Sequence, residues 1–470
     1  MQNYIGLLPV AWLAFGGLSG LIMGTFRQAR KRLLGWSLIW AVGGFLSGVY
    51  LSWTYPHPSS SFFGMVWGGG LYSFLAAGIS LISAIGISFL HDYLTRYTQG
   101  QGWESLPLSL LMASALAVLP ASNHLLLSVV ALETVSLGSY VLVALSWNNR
   151  FAPEASIKYL LLGALGFVLL LFGLSYLYGM SGTLYLHHLR ALKWQAWQDS
   201  HLFTLAILLI GVGLLFKLSV FPFHWWAPDV YGGATPGATG FLVATGKLSA
   251  TFLASQLLYA VEVPRSWLWG GAIIAGFSAL YGNLSALMQP TLQRALAYSS
   301  VAHGGYILLG LLSGPEGRLQ AWGYGVAYGL MSSIGFGLLA LGAEPQEYKV
   351  LRGLGYQRSG YAIALAIALA SLSGMPPFVG FFAKYAVFTS AFRAGYTLPT
   401  LIAIGAALIG YFYYWRPIAW MYQPGESSFQ VRTALATGAV LLFLLGILPA
   451  LLWGWMDYLY GLAGYFQPRP

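Results

Sequence analysis

Long apolar stretches, separated by short polar segments, fill almost the whole of this 470-residue chain. Several of them run for 18 or more residues. About 20 helical residues cross the roughly 30 Å of hydrocarbon in a bilayer, and backbone groups cannot stay unpaired in lipid. Each stretch is therefore predicted to be a membrane-spanning helix. A β-barrel would need alternating segments of about 10 residues, and the sequence shows no such alternation.

The pattern predicts an all-α polytopic membrane protein with about fourteen transmembrane helices. Their ranges are 3–25, 33–52, 66–94, 105–120, 122–148, 156–180, 202–228, 236–260, 266–288, 292–313, 319–343, 360–394, 397–421 and 433–457. The longest segments between them, 53–65, 181–201 and 344–359, are too short for a soluble domain of about 50 residues or more. The whole chain, 1–470, is therefore predicted to be a single membrane domain.

Prolines interrupt two of the predicted spans. Pro222 lies in 202–228, and Pro376 and Pro377 lie in 360–394. Proline removes a helix donor and clashes with the carbonyl one turn back, and paired interruptions in corresponding spans are typical of inverted-repeat transporters. The breaks lie five spans apart, in the seventh and the twelfth, which predicts two inverted five-helix repeats. The alternative is that the prolines merely kink two unrelated helices.

The repeats would divide the chain into four parts. An N-terminal three-helix segment, 1–100, precedes a first repeat, 105–260, which holds helices 4–8. A second repeat, 266–421, holds helices 9–13, and a C-terminal helix and tail follow at 433–470.

The positive charges are unevenly distributed between the two sides of the predicted membrane. Only 7% of residues are charged, and the formal net charge is +10. The one dense basic run, between Arg27 and Arg32, directly follows the first apolar stretch. Thirteen of the 22 Lys and Arg residues lie in loops on that side, six on the other side and three inside the membrane. The positive-inside rule places the basic loops in the cytoplasm and both termini outside, which argues against a nucleic-acid partner.

Cysteine is absent from the sequence. Thiolate zinc sites, iron–sulfur clusters and disulfides are therefore excluded, so another subunit would carry the electrons of any redox reaction. The N-terminal apolar run has no basic residues before it and exceeds the h-region of a signal peptide. We expect it to be a retained first helix.

Four ionisable residues lie inside apolar stretches: Glu133, Lys217, Lys247 and Lys384. An ionisable group at the bilayer centre costs roughly 2.5–3.5 kcal/mol on insertion scales, and such groups indicate an ion or proton path. Glu133 needs a cation or a water-filled cavity, and Lys217 is the natural candidate. A structural ion pair that holds two helices together is the alternative.

The choice of lysine favours proton transfer. Burial favours the neutral amine and a nearby carboxylate favours the ammonium, so a lysine between these influences can bind and release a proton. Arginine stays charged, and the predicted membrane interior contains lysine but no arginine. Snorkelling to the interface is the alternative, but the three lysines lie about ten or more positions from either end of their spans.

Two histidines are further candidates for the path. His303 lies in the middle of a span, and histidine titrates near neutral pH. His224 lies near the end of a helix and is the weaker candidate. For both, the alternative is a buried histidine whose hydrogen bonds are satisfied and which transfers no proton.

Two pairs of polar residues are expected to have local roles only. Glu154 and Lys158 are spaced i,i+4 at the start of a span, where they should form a helix pair at the cytoplasmic edge. The adjacent His187 and His188 lack metal-ligand spacing and are expected at the surface.

The motifs around these residues resemble those of the antiporter-like membrane subunits of respiratory complex I. The similar segments are ALETVSLGSYVLVAL, PEASIKYLLLGALGFVLLLFGLSYLYGMSGT, FKLSVFPFHWWAPDVYGGATPGATGFLVATGKLSA, LQRALAYSSVAHGGYILLG and SLSGMPPFVGFFAKYAVF. They span roughly residues 100–425, and the likeness is greatest to the N type, also called the chain-2 type. Lysine rather than glutamate at position 384 favours the N type over the M type. The long lateral helix of the L type is not expected after the fourteen spans.

The resemblance implies a fourteen-helix subunit of a proton-translocating NADH:quinone oxidoreductase, with broken seventh and twelfth helices. It implies that Glu133 and Lys217 form the coupling pair of the first half-channel. Lys247 would bridge the two halves, and Lys384 would serve the second half-channel. His303 matches a histidine of the central hydrophilic axis.

The resemblance also implies what lies outside this chain. No cofactor is expected here, because flavin, iron–sulfur clusters and quinone belong to partner subunits. The implied partners are a neighbouring antiporter-like subunit, small membrane subunits and the lipid bilayer, with no nucleic acid. The implied location is the inner (plasma) membrane of a bacterial-type cell, which the chain crosses many times.

The residues themselves are compatible with three functions. The first is a proton-pumping subunit of a quinone reductase. The second is a subunit of a multi-chain sodium/proton antiporter, which shares the same ancestry and charged residues. The third is a structural membrane spacer, against which the series of buried titratable residues argues.

Overall fold

The computed structural model describes residues 4–98, 101–145, 152–342 and 347–425, with four further positions, 454, 456, 458 and 461. The described chain is helical almost throughout, which confirms the predicted all-α class. The exception within these residues is an antiparallel hairpin, β1 (Ser59–Ser61) and β2 (Val66–Gly68).

Seventeen α-helices follow one another along the described residues. They are α1 (Leu8–Thr25), α2 (Leu33–Thr54), α3 (Gly70–Tyr97), α4 (Ser105–Ala121), α5 (Leu125–Ala144), α6 (Ala152–Ser181), α7 (Leu186–Ala191), α8 (His201–Lys217), α9 (Trp226–Gly233), α10 (Pro236–Ala260), α11 (Arg265–Leu287), α12 (Leu292–Leu312), α13 (Gly314–Ala340), α14 (Leu354–Gln357), α15 (Ser359–Ser373), α16 (Val379–Arg393) and α17 (Thr397–Met421). Short 3₁₀ turns lie at Tyr4–Leu7, Ala29–Arg32, Trp194–Trp197 and Tyr348–Leu351.

Each predicted span from 3–25 to 397–421 coincides with one helix or with a pair of helices. Ten helical segments in the described residues are long and apolar enough to cross a membrane, and α4, α8 and α15 are shorter apolar helices. The seventh and twelfth spans are the pairs, α8 with α9 and α15 with α16. The fourteenth span, 433–457, lies outside the described ranges, and the boundaries of the two repeats remain predictions.

The predicted start of the third span, at residue 66, is wrong. Val66–Gly68 is strand β2, and α3 begins at Gly70. Gly69 and Gly70 have positive φ angles of 84° and 48°, which glycine adopts without the penalty that a Cβ would bring. A Cβ on Gly70 would lie 2.3 Å from the carbonyl oxygen of Pro56. The hairpin therefore turns into α3 only because glycine occupies this position.

Three helices form the centre of the protein. Of the residues in an apolar 18-residue stretch, 94% are buried in α10 and in α13 and 89% in α12, against 28% in each of the first two spans and 33% in α6. The outer helices present apolar side chains to lipid or to another chain. Because α10 packs against α12 and α13, the polar side chains of α10 are enclosed by protein.

The seventh span breaks at the C-terminal end of α8. The Val220 N–H donates to the Leu215 carbonyl over 3.0 Å, which is the long bond of a Schellman-type helix end. Ser219 has the positive φ, 48°, that this ending requires. The helix therefore ends at Lys217 through a backbone turn, ahead of the proline at position 222.

The twelfth span ends its first half in the same way. The Met375 N–H donates to the Ala370 carbonyl over 3.1 Å, and Gly374 has a φ of 86°. A cis X-Pro bond follows each turn, Phe221–Pro222 in one span and Pro376–Pro377 in the other. The two breaks are thus alike in backbone conformation and hydrogen bonding, although they lie five spans apart.

Candidate functional site

Lys217 and Glu133 lie on two helices of the first half of the chain, α8 and α5. Lys217 is the last residue of α8 and is 8% exposed, and its Nζ is buried without a hydrogen-bond partner among the described residues. The Oε2 of Glu133, in the middle of α5, is likewise buried and unpartnered there. The two charges act on each other, but no oxygen of Glu133 lies within 4.0 Å of Nζ. The predicted partners are therefore in electrostatic range but not in contact.

A tyrosine of α5 lies beneath the Lys217 ammonium. The Nζ is 5.7 Å from the centroid of the Tyr140 ring, inside the roughly 6 Å range of a cation–π contact. A narrow cleft, with room for about one water molecule, reaches Lys217 between α6 and α8. Its wall includes Gly163, Gly166 and Gly213, whose missing side chains allow Tyr140, Phe216 and Leu170 to pack closely there.

Lys247 binds the end of the first break from a neighbouring helix. It lies in α10 and is 1% exposed. Its Nζ donates to the Ser219 hydroxyl over 2.6 Å and also to the Leu218 carbonyl. The last carbonyls of a helix are unpaired and carry the negative end of its dipole, so this end attracts a cation. A Cβ on Gly304 of α12 would lie 2.7 Å from Nζ and 2.5 Å from the Leu218 carbonyl oxygen, so a side chain at this position would crowd the bond between them.

Lys384 binds the end of the second break. It lies in α16 and is 7% exposed, and its Nζ donates to the carbonyls of Leu372 and Ser373 over 3.0 and 2.7 Å. The Nζ is 5.4 Å from the centroid of the Tyr306 ring. A Cβ on Gly374 would lie 3.1 Å from it. A lysine ammonium therefore binds the C-terminal end of the first helix segment at each break. At the first break it belongs to Lys247, in the next span; at the second it belongs to Lys384, in the second segment of the same span.

His303 is held by tyrosines at both ring nitrogens. It lies in α12 and is 1% exposed. Its Nδ1 is 2.8 Å from the Tyr324 hydroxyl, and its Nε2 is 3.2 Å from the Tyr414 hydroxyl. The ring stacks on Tyr328 with centroids 4.3 Å apart. The Ser299 hydroxyl continues the chain of hydrogen bonds from Tyr414.

His224 lies in the turn between α8 and α9. It is 6% exposed, and its Nδ1 has no hydrogen-bond partner among the described residues. Its ring meets that of Tyr281 edge-on, with centroids 4.5 Å apart. The structure therefore places it in the first break but not in contact with the other candidates.

The two pairs that were expected to have local roles lie at the surface. Lys158 and Glu154 form an ion pair of 2.6 Å, and Lys158 also reaches Asp229 of α9 at 3.7 Å. His187 and His188 are exposed in α7, and His187 Nδ1 is 2.8 Å from the side-chain nitrogen of Asn123. Partial burial, followed by the neighbouring His188, lowers the pKa of His187. Within the described ranges no three His, Asp or Glu side chains lie together as a metal site would need.

A known family of membrane proteins matches the part of the chain that carries the site. It is described as NADH:quinone oxidoreductase/Mrp antiporter, and it matches residues 122–410, which include all six candidate residues. This chain belongs to that family. The resemblance predicted from the motifs is confirmed, and the chain is a multi-pass membrane protein.

Bacterial relatives match most of the length of the chain. "NADH-quinone oxidoreductase subunit N" of Neisseria gonorrhoeae is 34% identical over 418 residues, which are 84% of this chain and 85% of the relative. The protein of the same name from Laribacter hongkongensis is 34% identical over 461 residues, 95% of this chain and 93% of the relative.

Solved structures share the fold. A chain of respiratory complex I from Thermus thermophilus, determined with bound aureothin, matches with a TM-score of 0.79 and 30% identity over 97% of this chain and 99% of its own. A chain of the Mrp complex from Dietzia sp. matches with a TM-score of 0.83 but 19% identity, which shows the fold alone.

Sequence reasoning missed the buried tyrosines that surround the candidate residues. The chain has 30 tyrosines, so residue type alone does not distinguish them. A polar amide in the middle of a span was an available signal. Asn283 of α11 donates to the Tyr306 hydroxyl over 3.0 Å and accepts from the Tyr413 hydroxyl over 3.0 Å. An amide that must be satisfied in lipid points to polar partners on neighbouring helices.

Proposed function

We propose that this chain is the N-type membrane subunit of a proton-translocating NADH:quinone oxidoreductase. The relatives described above carry that name. The observation that carries the proposal is the environment of the three lysines, whose ammonium groups contact carbonyls, a hydroxyl and tyrosine rings but no carboxylate among the described residues. Such a lysine can bind and release a proton without being locked in a contact ion pair.

In the first half, a proton passes between Glu133 and Lys217. The Lys217 amine and the Oε2 oxygen of Glu133 are both buried and have no hydrogen-bond partner among the described residues. Because they are not in direct contact, the transfer requires water, which can bridge polar groups at nearly the enthalpy of a direct hydrogen bond. The cleft beside Lys217 provides space for it.

From the bridge between the halves into the second half, a proton passes along Lys247, His303 and Lys384. Like charges disfavour each other, so protons on neighbouring groups of this row repel each other. The imidazole has a hydroxyl partner at each nitrogen, so it can receive a proton on one side and release it on the other. Transfer along this row is therefore stepwise.

Electron transfer belongs to other subunits in this proposal. The chain has no cysteine to hold an iron–sulfur cluster, and in this proposal flavin and quinone are also bound by partner chains. The chain lies in the inner membrane of a bacterial cell, with both termini outside, as the positive-inside rule predicts.

A neighbouring antiporter-like subunit covers the outer face of α5. Glu133 is half-buried at the edge of that face, next to Val130 and Leu137, which are 55% and 53% exposed. A carboxylate at the lipid boundary would be costly, so protein rather than lipid should lie against it. Small membrane subunits cover other apolar faces.

Purification of the tagged chain from its own membranes tests this function. The chain should copurify with subunits that contain flavin and iron–sulfur clusters, and vesicles that hold the complex should translocate protons when NADH and quinone are supplied. Copurification with membrane antiporter chains alone, together with sodium-dependent proton movement without NADH, would instead establish the multi-chain sodium/proton antiporter.

A further inference from the structure

Each predicted half of the chain places a lysine ammonium over the ring of a tyrosine. Lys217 of the seventh span lies 5.7 Å from the ring of Tyr140, in the fifth span. Lys384 of the twelfth span lies 5.4 Å from the ring of Tyr306, in the tenth span. In both pairs the tyrosine comes two spans before the lysine, and the two pairs lie five spans apart.

The segments that carry the two tyrosines are similar in sequence. Residues 138–142 read GSYVL, and residues 304–308 read GGYIL. Gly138 and Gly304 both lie two residues before the tyrosine, and a Cβ would lie 2.4 Å from Met112 Cγ at the first and 2.5 Å from the Leu218 carbonyl oxygen at the second. The tyrosine–lysine pair therefore recurs in sequence and in structure at the spacing of the predicted repeat.

The two rings are fixed by aromatic neighbours. Tyr140 meets Tyr159 of α6 edge-on, with centroids 4.7 Å apart and an angle of 90°. Tyr306 meets Phe388 edge-on at 5.5 Å and 82°, and Phe388 lies one turn after Lys384 in α16. Both rings are buried, with 6% and 1% exposed, so each presents its face to the amine in one orientation.

The two hydroxyl groups differ, which separates the role of the ring from that of the hydroxyl. The Tyr306 hydroxyl accepts a hydrogen bond from Asn283 over 3.0 Å. The Tyr140 hydroxyl is buried without a hydrogen-bond partner among the described residues, and a Cβ on Gly163 would lie 2.2 Å from it. What the pairs share is the ring beneath the ammonium.

We propose that Tyr140 and Tyr306 are positioning residues for proton translocation, whose rings hold the ammonium groups of Lys217 and Lys384 beside the two helix breaks. An aromatic face attracts a cation through its quadrupole, and more strongly where water is excluded. It carries no charge, so it holds the protonated lysine without trapping the proton in an ion pair. When the proton leaves, this attraction ends and the neutral amine is released. The inference rests on the proposed function.

Substitutions of each tyrosine by phenylalanine and by leucine test the proposal in the complete complex. In inverted vesicles, we measure NADH oxidation with quinone and the number of protons translocated per NADH. Phe keeps the ring and should keep most of the pumping. Leu removes it, and pumping should fall about thirtyfold, the size expected from losing a cation–π contact at a desolvated site. Tyr72→Leu, which removes a buried ring of α3 outside the two pairs, is the matched control.

The outcomes separate the possible roles of the tyrosines. Pumping by Tyr140→Leu and Tyr306→Leu at the level of Tyr72→Leu would overturn the proposal. Equal loss in the Phe and Leu variants would also overturn it, because the hydroxyl and not the ring would then be required. Wild-type vesicles that move no protons with NADH would refute the proposed function itself, which is a separate result.

A thermal-stability cycle keeps the test valid if a variant no longer pumps. The midpoint of heat inactivation or disassembly is measured for Tyr140→Leu, Lys217→Met and the double variant. Loss of the ring should lower the midpoint clearly less when Lys217 is already methionine, because no cation remains above it. Equal losses on both backgrounds would show that the ring only fills space, and would contradict the proposal.

Discussion

The Lys247 ammonium donates a hydrogen bond to the hydroxyl of Ser219, 2.6 Å away, so a lysine of the eighth span binds the residue at which the seventh span breaks. Ser219 has a positive φ of 48°, which costs roughly 1–2 kcal/mol for a residue other than glycine. The bond to a charged donor, worth about 1.5–3 kcal/mol, offsets that cost. The break and the central lysine therefore stabilise each other.

Ser219→Ala and Ser219→Gly should separate these two terms. Alanine keeps the strained φ and loses the hydroxyl, whereas glycine loses the hydroxyl but removes the strain. We expect the heat-inactivation midpoint of the purified complex to fall in the order wild type, glycine, alanine. The stabilities of the two variants should differ by about 1 kcal/mol, the cost of the left-handed backbone conformation for alanine. Identical midpoints for the two variants would mean that the backbone at Ser219 is not strained.

Lys247→Arg should assemble less well and pump much less than wild type. Arginine keeps the cation but cannot release a proton in proteins. Its larger head group also meets Gly304, where a Cβ would lie only 2.7 Å from the present Nζ. Proton translocation per NADH is measured on assembled complex, with Lys247→Met as the uncharged comparison. Wild-type pumping by the arginine variant would show that Lys247 supplies only a static charge, and the relay role would be abandoned.

Gly304→Ala should displace Lys247 from the break. The new Cβ would lie 2.5 Å from the Leu218 carbonyl oxygen and 2.7 Å from the Lys247 Nζ. Such overpacking typically costs 1–3 kcal/mol, and here it acts on the hydrogen bonds of the ammonium. Both stability and pumping should fall. Gly246→Ala is the matched control, because it adds the same methyl next to Lys247 where the nearest atom, the Tyr231 hydroxyl, is 3.9 Å away.

The sequence predicted the spans that break but not the way they break. The prolines at 222, 376 and 377 indicated the seventh and twelfth spans correctly. The helices end earlier, however, through backbone turns at Ser219 and Gly374. A glycine with positive φ after a helix is a recognisable signal, but a serine in this conformation is not, because the interaction that offsets its strain comes from Lys247, 28 residues away in sequence.

The candidate residues could be predicted because a charge in the membrane is costly wherever the helix faces. Their contacts could not, because they depend on how the spans pack against each other. Lys217 and Glu133 were expected to pair, yet the structure leaves them apart and places the ring of Tyr140 beneath the amine. A neutral residue that acts through its ring face has no cost in the membrane that would reveal it in the sequence.

Glu133 and Lys217 should show weak energetic coupling, because their charges interact without contact. A contact ion pair that is broken by removing one partner usually costs 3–5 kcal/mol, whereas charges that interact over a longer distance couple more weakly, because the Coulomb energy falls with separation. Glu133→Gln, Lys217→Met and the double variant give this coupling through a double-mutant cycle on the stability of the assembled complex. Proton pumping is measured in parallel. We expect each single variant to pump far less than wild type and the double variant to assemble slightly better than the sum of the singles predicts.

A coupling of 3 kcal/mol or more would mean that the two side chains meet directly in the working complex. Strict additivity would mean that they belong to separate paths.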